Sequence, residues 1–322
     1  MTKNLPEELL VKNLITQEQF AKVKPIVSGK IISLFYELRT LLYLGVMLFT
    51  AGAGILIYKN IGELGHVAAI LSPTALMIGC FWYVYRTGPA YSNEIVKGPT
   101  PYFDYVLLLA SLLFVSIQGY LQFQYAILDD NLGTSTLITA LLFFYLAYRY
   151  DHTGLLSLGI TSFVSFWGVS VSPVKWYSGS FFEQANLHVI AMILGVALSV
   201  ASIFLHHRSV KKHFTFTYLN FSLLMFFCAA VAGLFIDGGI YGIYILLIYG
   251  GCAFSYYAAR LSRSFLFLLY AFIAAYIATT FFLVVTLQIY NSEYLWFWYS
   301  IFSCGGFVYF IIRFKNHFRQ PS

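Results

Sequence analysis

The side chains best spaced to do chemistry lie in one apolar stretch. In "YVLLLASLLFVSIQGYLQFQY", residues 105–125, Ser111, Gln118, Gln122 and Tyr125 recur at helical spacing and fall on one stripe. Gln118 and Gln122, four residues apart, present neighbouring amides, each with two donors and an acceptor. The next segment opens "GTSTLIT" and brings Thr134, Thr136 and Thr139 to a similar depth. Gln118, Gln122, Tyr125, Thr136 and Thr139 therefore make a candidate polar cavity, suited to hydrogen-bonding an uncharged ligand. The competing reading, which carries the greater weight, is that these groups bond helix to helix, a common use of polar residues in membranes.

The densest polar run is "HHRSVKKH" at 206–213. Three histidines beside a basic cluster would suit a metal, but the run lies between two apolar segments, where a basic anchor at the membrane surface is the favoured reading. The chain carries no H-E-x-x-H, no G-x-S-x-G, no phosphate-binding loop and no dinucleotide fingerprint. No catalytic, cofactor-binding or metal residue is assigned, no cofactor is expected, and the balance leans away from an enzyme. Cys80, Cys228, Cys252 and Cys304 all fall in apolar stretches without a C-x-x-C, and read as buried free thiols. Ionisable residues inside a membrane are costly and usually functional. Here Asp104 and Asp151 stand at one set of segment ends, and His66 and His188 at the other. That pattern argues against an ion-driven pump and leaves carriers of neutral substrates open.

The elements that position these residues follow from composition. Of 322 residues, 60% are hydrophobic and only 10% charged, whereas a soluble domain carries about a quarter charged. Ten apolar segments stand out, at 41–58, 66–85, 105–125, 132–148, 154–171, 187–205, 214–235, 239–257, 265–287 and 294–312. The expected fold is an all-α polytopic membrane protein, with about ten transmembrane helices in one bundle. Ten crossings put both termini and every second loop on one side. That side then holds all of the 19 basic residues except Lys59 and Lys175, which by the positive-inside rule makes it the cytoplasm. The net charge of +6 thus reports topology and contact with anionic headgroups of the lipid bilayer. No nucleic-acid partner is indicated. Residues 1–30 lack the compact apolar core of a cleavable signal, so the first span is expected to direct insertion. Aromatics are 20% of the chain, many at segment ends, as interfacial belts require.

Ahead of the bundle, "LPEELLVKNLITQEQF" reads as two short capped helices. Asn4 with Glu7, and Thr16 with Gln19, have capping-box spacing, Asn13 suits the turn between, and Ile15 with Phe20 form a staple. A third amphipathic segment, Lys30 to Arg39, leads into the first span. Residues 1–40 are accordingly expected to form a cytosolic helix pair and an interfacial lead-in. Residues 41–312 form the bundle, and 313–322 a basic cytosolic tail. Leu9, Leu14, Ile15 and Phe20 are the candidate docking residues for a cytosolic protein partner.

Leu14-Ile15-Thr16 followed by Glu18-Gln19, and then "LLYLGVMLFTAGAGILIYKNIGEL" at 41–64, resembles the bacterial predicted-membrane-protein family known as domain-of-unknown-function family 2157. Asn13 stands where that family usually has Gly, and Asn60-Ile61 where it often has Asn-Trp. The resemblance implies a bacterial cytoplasmic (inner) membrane protein with no assigned activity, and it carries over no catalytic residue. Three functions compete. The first is a membrane interaction or regulatory protein that docks a partner through its N-terminal helices. The second is a carrier or permease for an uncharged or lipid-like substrate. The third is a membrane-embedded enzyme acting at the outer face.

Overall fold

The computed structural model describes residues 35–59, 65–96, 98–125, 127–128, 132–171, 187–236, 240–287 and 293–315. Within them are ten α-helices: α1 (Phe35–Lys59), α2 (Gly65–Thr87), α3 (Phe103–Tyr125), α4 (Leu132–Tyr150), α5 (Thr153–Val171), α6 (Leu187–His207), α7 (Thr215–Ile236), α8 (Tyr241–Ser262), α9 (Phe265–Leu287) and α10 (Glu293–Lys315). No strand occurs among the described residues. Each of the ten apolar segments falls on one helix. Six helical stretches, those of α3, α4, α6, α7, α8 and α9, are long and apolar enough to cross a membrane by length and composition. The N-terminal helix pair, with Leu9, Leu14, Ile15 and Phe20, lies outside the described residues. α1 runs unbroken from Phe35 past the expected lead-in boundary, and α2 runs through Pro73.

The links after α4 and α8 are two residues long and that after α6 seven, so each pair of helices they join lies antiparallel. Each helix ends the same way. Asp151 (φ 61°), Ser209 (φ 58°) and Arg263 (φ 48°) take the left-handed conformation. The next residue then reaches back past the helix end: His152 N–H to Ala147 O, Val210 N–H to Leu205 O and Ser264 N–H to Ala259 O, each 3.1 Å. This arrangement satisfies carbonyls that a helix C-terminus leaves unpaired, and it normally employs glycine. None of the three positions is glycine here.

Two apolar cores result. One joins α2, α3, α4 and α5 around Phe103, Leu107, Phe143, Leu155 and Ile160 and extends to Leu198 of α6 and Tyr218 of α7; the other joins α6, α7, α8 and α9 around Leu223, Phe227, Ile248, Phe267 and Ala271. In lipid the hydrophobic effect does not drive helices together, so close packing and hydrogen bonds must. The row Ala191, Gly195, Ser199 on α6 does this against α7. A Cβ on Gly195 would stand 3.0 Å from both Phe226 Cβ and Ser222 O, and the Ser199 and Ser222 hydroxyls are bonded. Gly45 and Gly52 on α1, by contrast, face open space. The four cysteines are unpaired, yet only Cys80 and Cys252 are partly buried; Cys228 and Cys304 are exposed. The expectation of burial fails for those two because the outer surface of a membrane helix is itself apolar.

Candidate functional site

Gln118 sits at the seam of α3 and α4. Its Nε2 donates to Ser135 O at 2.7 Å and to Ser135 Oγ at 3.0 Å, while its Oε1 accepts from the Thr139 hydroxyl at 2.7 Å. Each of these bonds joins one helix to the other. Gln122, one turn on, is buried and accepts the Leu128 backbone N–H at 3.1 Å, which fastens the chain after α3. Thr136 donates to Gly133 O within α4. Tyr125 is 52% exposed and stands apart from that network. The structure thus gathers Gln118 with Thr139 and sets Gln122 nearby. A groove of about 420 Å³ runs beside them between α2 and α3, lined by Thr74, Met77, Phe114, Ile117, Gln118 and Gln122. The buried Thr74 hydroxyl has no hydrogen-bond partner.

A second constellation is built where the links after α2, α4 and α6 meet at one end of the bundle. Asp151 Oδ2 accepts the Val96 backbone N–H at 2.6 Å. Its Oδ1 lies 3.0 Å from Lys211 Nζ and also accepts from His213 Nε2, which fixes the tautomer of that ring. The side chains of Asp151 and Lys211 are only 2% and 1% exposed, and that of His213 19%. Lys211 Nζ also stands 5.5 Å from the centre of the Tyr91 ring. Arg149 donates to Pro89 O at 2.6 Å, and the Tyr83 and Thr100 hydroxyls lie 3.1 Å apart, so the link 88–102 is tied down at several points. The two-residue hinge is economical: Asp151 ends α4, and His152 starts α5, its Nδ1 accepting the Leu155 N–H at 3.0 Å. Burial pushes the Asp151 carboxyl up, but the Val96 N–H, Lys211 and His213 outweigh it and hold it below its usual range.

Chemically this is a charge clamp: a buried carboxylate neutralises a buried ammonium while a histidine and a backbone donor complete its shell. It corrects the reading of "HHRSVKKH" as a basic anchor throughout. His207, Arg208 and Lys212 are exposed, but Lys211 and His213 turn inward. The one available signal was an acidic residue at a two-residue link on the basic side, and nothing in the sequence names its partners. Among the described residues no group of three or more His, Cys, Asp and Glu is placed to hold a metal ion.

Between helices from α4 to α9 further polar groups are spent on one another. His188 Nε2 and Tyr244 OH are 2.7 Å apart, and Tyr148 and Tyr218 join hydroxyls at 3.0 Å. Tyr270 donates to Asn220 at 3.0 Å, and Ser255 to Phe267 O at 2.6 Å.

The stretch from the N-terminal segment through the hinge at Asp151 also decides the comparison with known proteins. Residues 7–156 match the family of predicted membrane proteins designated DUF2157. The DUF2157 match covers just under half of the 322 residues. It takes in the N-terminal segment, α1 to α4, Gln118, Gln122, Thr136, Thr139 and Asp151, and stops before Lys211 and His213. No curated protein matches the chain. No solved structure matches it either.

Proposed function

We propose that this protein crosses the bacterial cytoplasmic membrane ten times, keeps both termini in the cytoplasm, and works as a membrane interaction or regulatory protein. Its N-terminal segment, with Leu9, Leu14, Ile15 and Phe20, docks a cytosolic protein. The observation that carries this reading is the charge clamp. Asp151 binds the links after α2, α4 and α6 into one fixed face, at the end of the bundle where α3 starts and where Tyr43 of α1 packs on Tyr105. Within the bundle, Gln118, Ser199, Asn220 and Ser255 are engaged in helix-to-helix bonds. A bundle so committed to holding its shape suits a platform. Affinity capture with the full chain, with a chain lacking residues 1–28, and with Leu9→Asp/Ile15→Asp tests it. One cytosolic protein retained by the full chain and lost from both variants is the expected result; equal retention by all three overturns the proposal.

A second reading, a carrier for an uncharged or lipid-like substrate, draws support from the groove beside α2 and α3, whose lining is apolar apart from Thr74, Gln118 and Gln122. Vesicles loaded with monooleoylglycerol test that reading. Protein-dependent exchange that Gln118→Leu/Gln122→Leu abolishes without unfolding the bundle favours the carrier.

A further inference from the structure

The groove of about 420 Å³ beside α2 and α3 is bounded on its remaining sides by Ile138 of α4 and by Ile127 and Leu128 of the link after α3. Sites for small ligands usually span about 300–1,000 Å³ and set a few polar groups in an apolar wall. Here those polar groups, Thr74, Gln118 and Gln122, belong to the wall itself. Among the described residues no Asp, Glu, Lys, Arg or His lines the groove, so a charged occupant would find no counter-charge there.

The polar groups are unequally satisfied. Gln118 gives both Nε2 hydrogens to Ser135 and accepts from Thr139 at Oε1, so what it has left is one acceptor lone pair. Thr74 is the exception in its helix context. A helical threonine normally bonds the carbonyl three or four residues back, as Thr50, Thr87 and Thr279 do. The Thr74 hydroxyl is buried without any partner among the described residues. Pro73, just before it, has no N–H to give the carbonyl one turn back, so the same turn leaves a backbone acceptor short of its usual donor. In hydrocarbon such groups are costly unless something bonds them. Threonine has two rotamers open to it in a helix, so the hydroxyl can swing to a ligand in the groove. An ether or ester ligand accepts but cannot donate, and an ammonium donates but brings a charge. A ligand hydroxyl does both without charge: it accepts from Thr74 and donates onward to an acceptor of the wall.

We infer that this groove binds an uncharged, hydroxyl-bearing amphiphile of the monoacylglycerol kind, and that the Thr74 hydroxyl selects it. The inference rests on the carrier reading for the place of the site and adds what the site takes. Native mass spectrometry of the full chain, titrated with monooleoylglycerol, its di-O-methyl ether or its phosphate monoester, tests it. The wild type binds one monooleoylglycerol at least fivefold more tightly than either of the others. Thr74→Val, of the same shape, removes the preference over the ether and leaves ether binding unchanged, whereas Thr74→Ser keeps the preference. Ile138→Trp, from an exposed position on the α4 side, fills the groove and weakens monooleoylglycerol and ether alike at least fivefold. Ile193→Trp, exposed on α6 and outside the groove lining, changes neither. A wild type without the preference, a preference that survives in Thr74→Val, or unaltered binding in folded Ile138→Trp overturns the inference. Equal loss in Ile193→Trp does the same, as does a wild-type dimer that Ile138→Trp dissociates, since a second copy would then fill the groove. Selective binding without protein-dependent exchange overturns the carrier reading alone; exchange without selective binding overturns the site alone.

Discussion

Asp151 and Lys211 lie 60 residues apart in the chain and 3.0 Å apart in the fold, both almost wholly removed from solvent. A buried charge is tolerated when paired and becomes expensive when its partner is removed. Asp151→Asn therefore lowers stability by about 3–5 kcal/mol, because Lys211 is left uncompensated. Adding Lys211→Met to it recovers most of the loss, since an apolar side chain of similar length needs no partner. Thermal unfolding of the two single variants and the double variant, assembled as a cycle, checks this; additive losses would mean that the pair is not coupled.

The same carboxyl sets an acid limit. Its pKa is depressed in the folded chain by the Val96 N–H, Lys211 and His213 acting against burial. A depressed carboxyl contributes stability that is fully present above its unfolded value of about 3.9 and is lost as pH falls through its folded value. Stability should therefore fall below about pH 4. Asp151→Asn should flatten that part of the profile. An unchanged acid limb in the variant would show that other groups set it.

Backbone strain at the helix ends offers a test of a different kind. Ser209 and Asp151 are both left-handed, a conformation that costs an L-residue about 1–2 kcal/mol and glycine almost nothing. Ser209→Gly is expected to stabilise the protein by up to about 1 kcal/mol. Asp151→Gly gains the same relief, but the clamp is lost and the net effect is strongly destabilising. Denaturation midpoints that move in the same direction for both variants would contradict this account of Asp151.

At the α3–α4 seam, replacing Gln118 by leucine removes bonds to Ser135 and Thr139. Interhelical hydrogen bonds in membranes average about 0.6 kcal/mol, so the expected loss is about 1–2 kcal/mol. Partner capture through the N-terminal segment should be untouched. If capture fails while the fold persists, the seam has a role beyond packing.

Much of the helix plan was legible because apolar runs end where charges begin. The segment expected at 265–287 coincides with α9, and the short segments 132–148 and 154–171 are α4 and α5, parted only by Asp151 and His152. Helix ends were less legible. Asp151, Ser209 and Arg263 do the work that glycine usually marks, so the sequence gives no stop signal there. The site was legible in its parts alone. Gln118 and Thr139 were grouped by helical spacing, which says which residues share a face but not that Ser135 would consume the amide. Lys211 and His213 were visible as a basic run. Their inward turn depends on a carboxylate two helices away, and one sequence carries no trace of such a long-range pair.

The central claim is that the end of the bundle held together by Asp151 faces the cytoplasm. It is tested by labelling with a membrane-impermeant maleimide in intact cells, after Cys80, Cys228, Cys252 and Cys304 are replaced by alanine. Single cysteines are placed at Glu94 and Lys212, both exposed at that end, and at Ser178, in the link between α5 and α6. The account predicts labelling from outside at Ser178→Cys, and at Glu94→Cys and Lys212→Cys only after the membrane is opened. Labelling of Glu94→Cys and Lys212→Cys from outside, with Ser178→Cys protected, would contradict it.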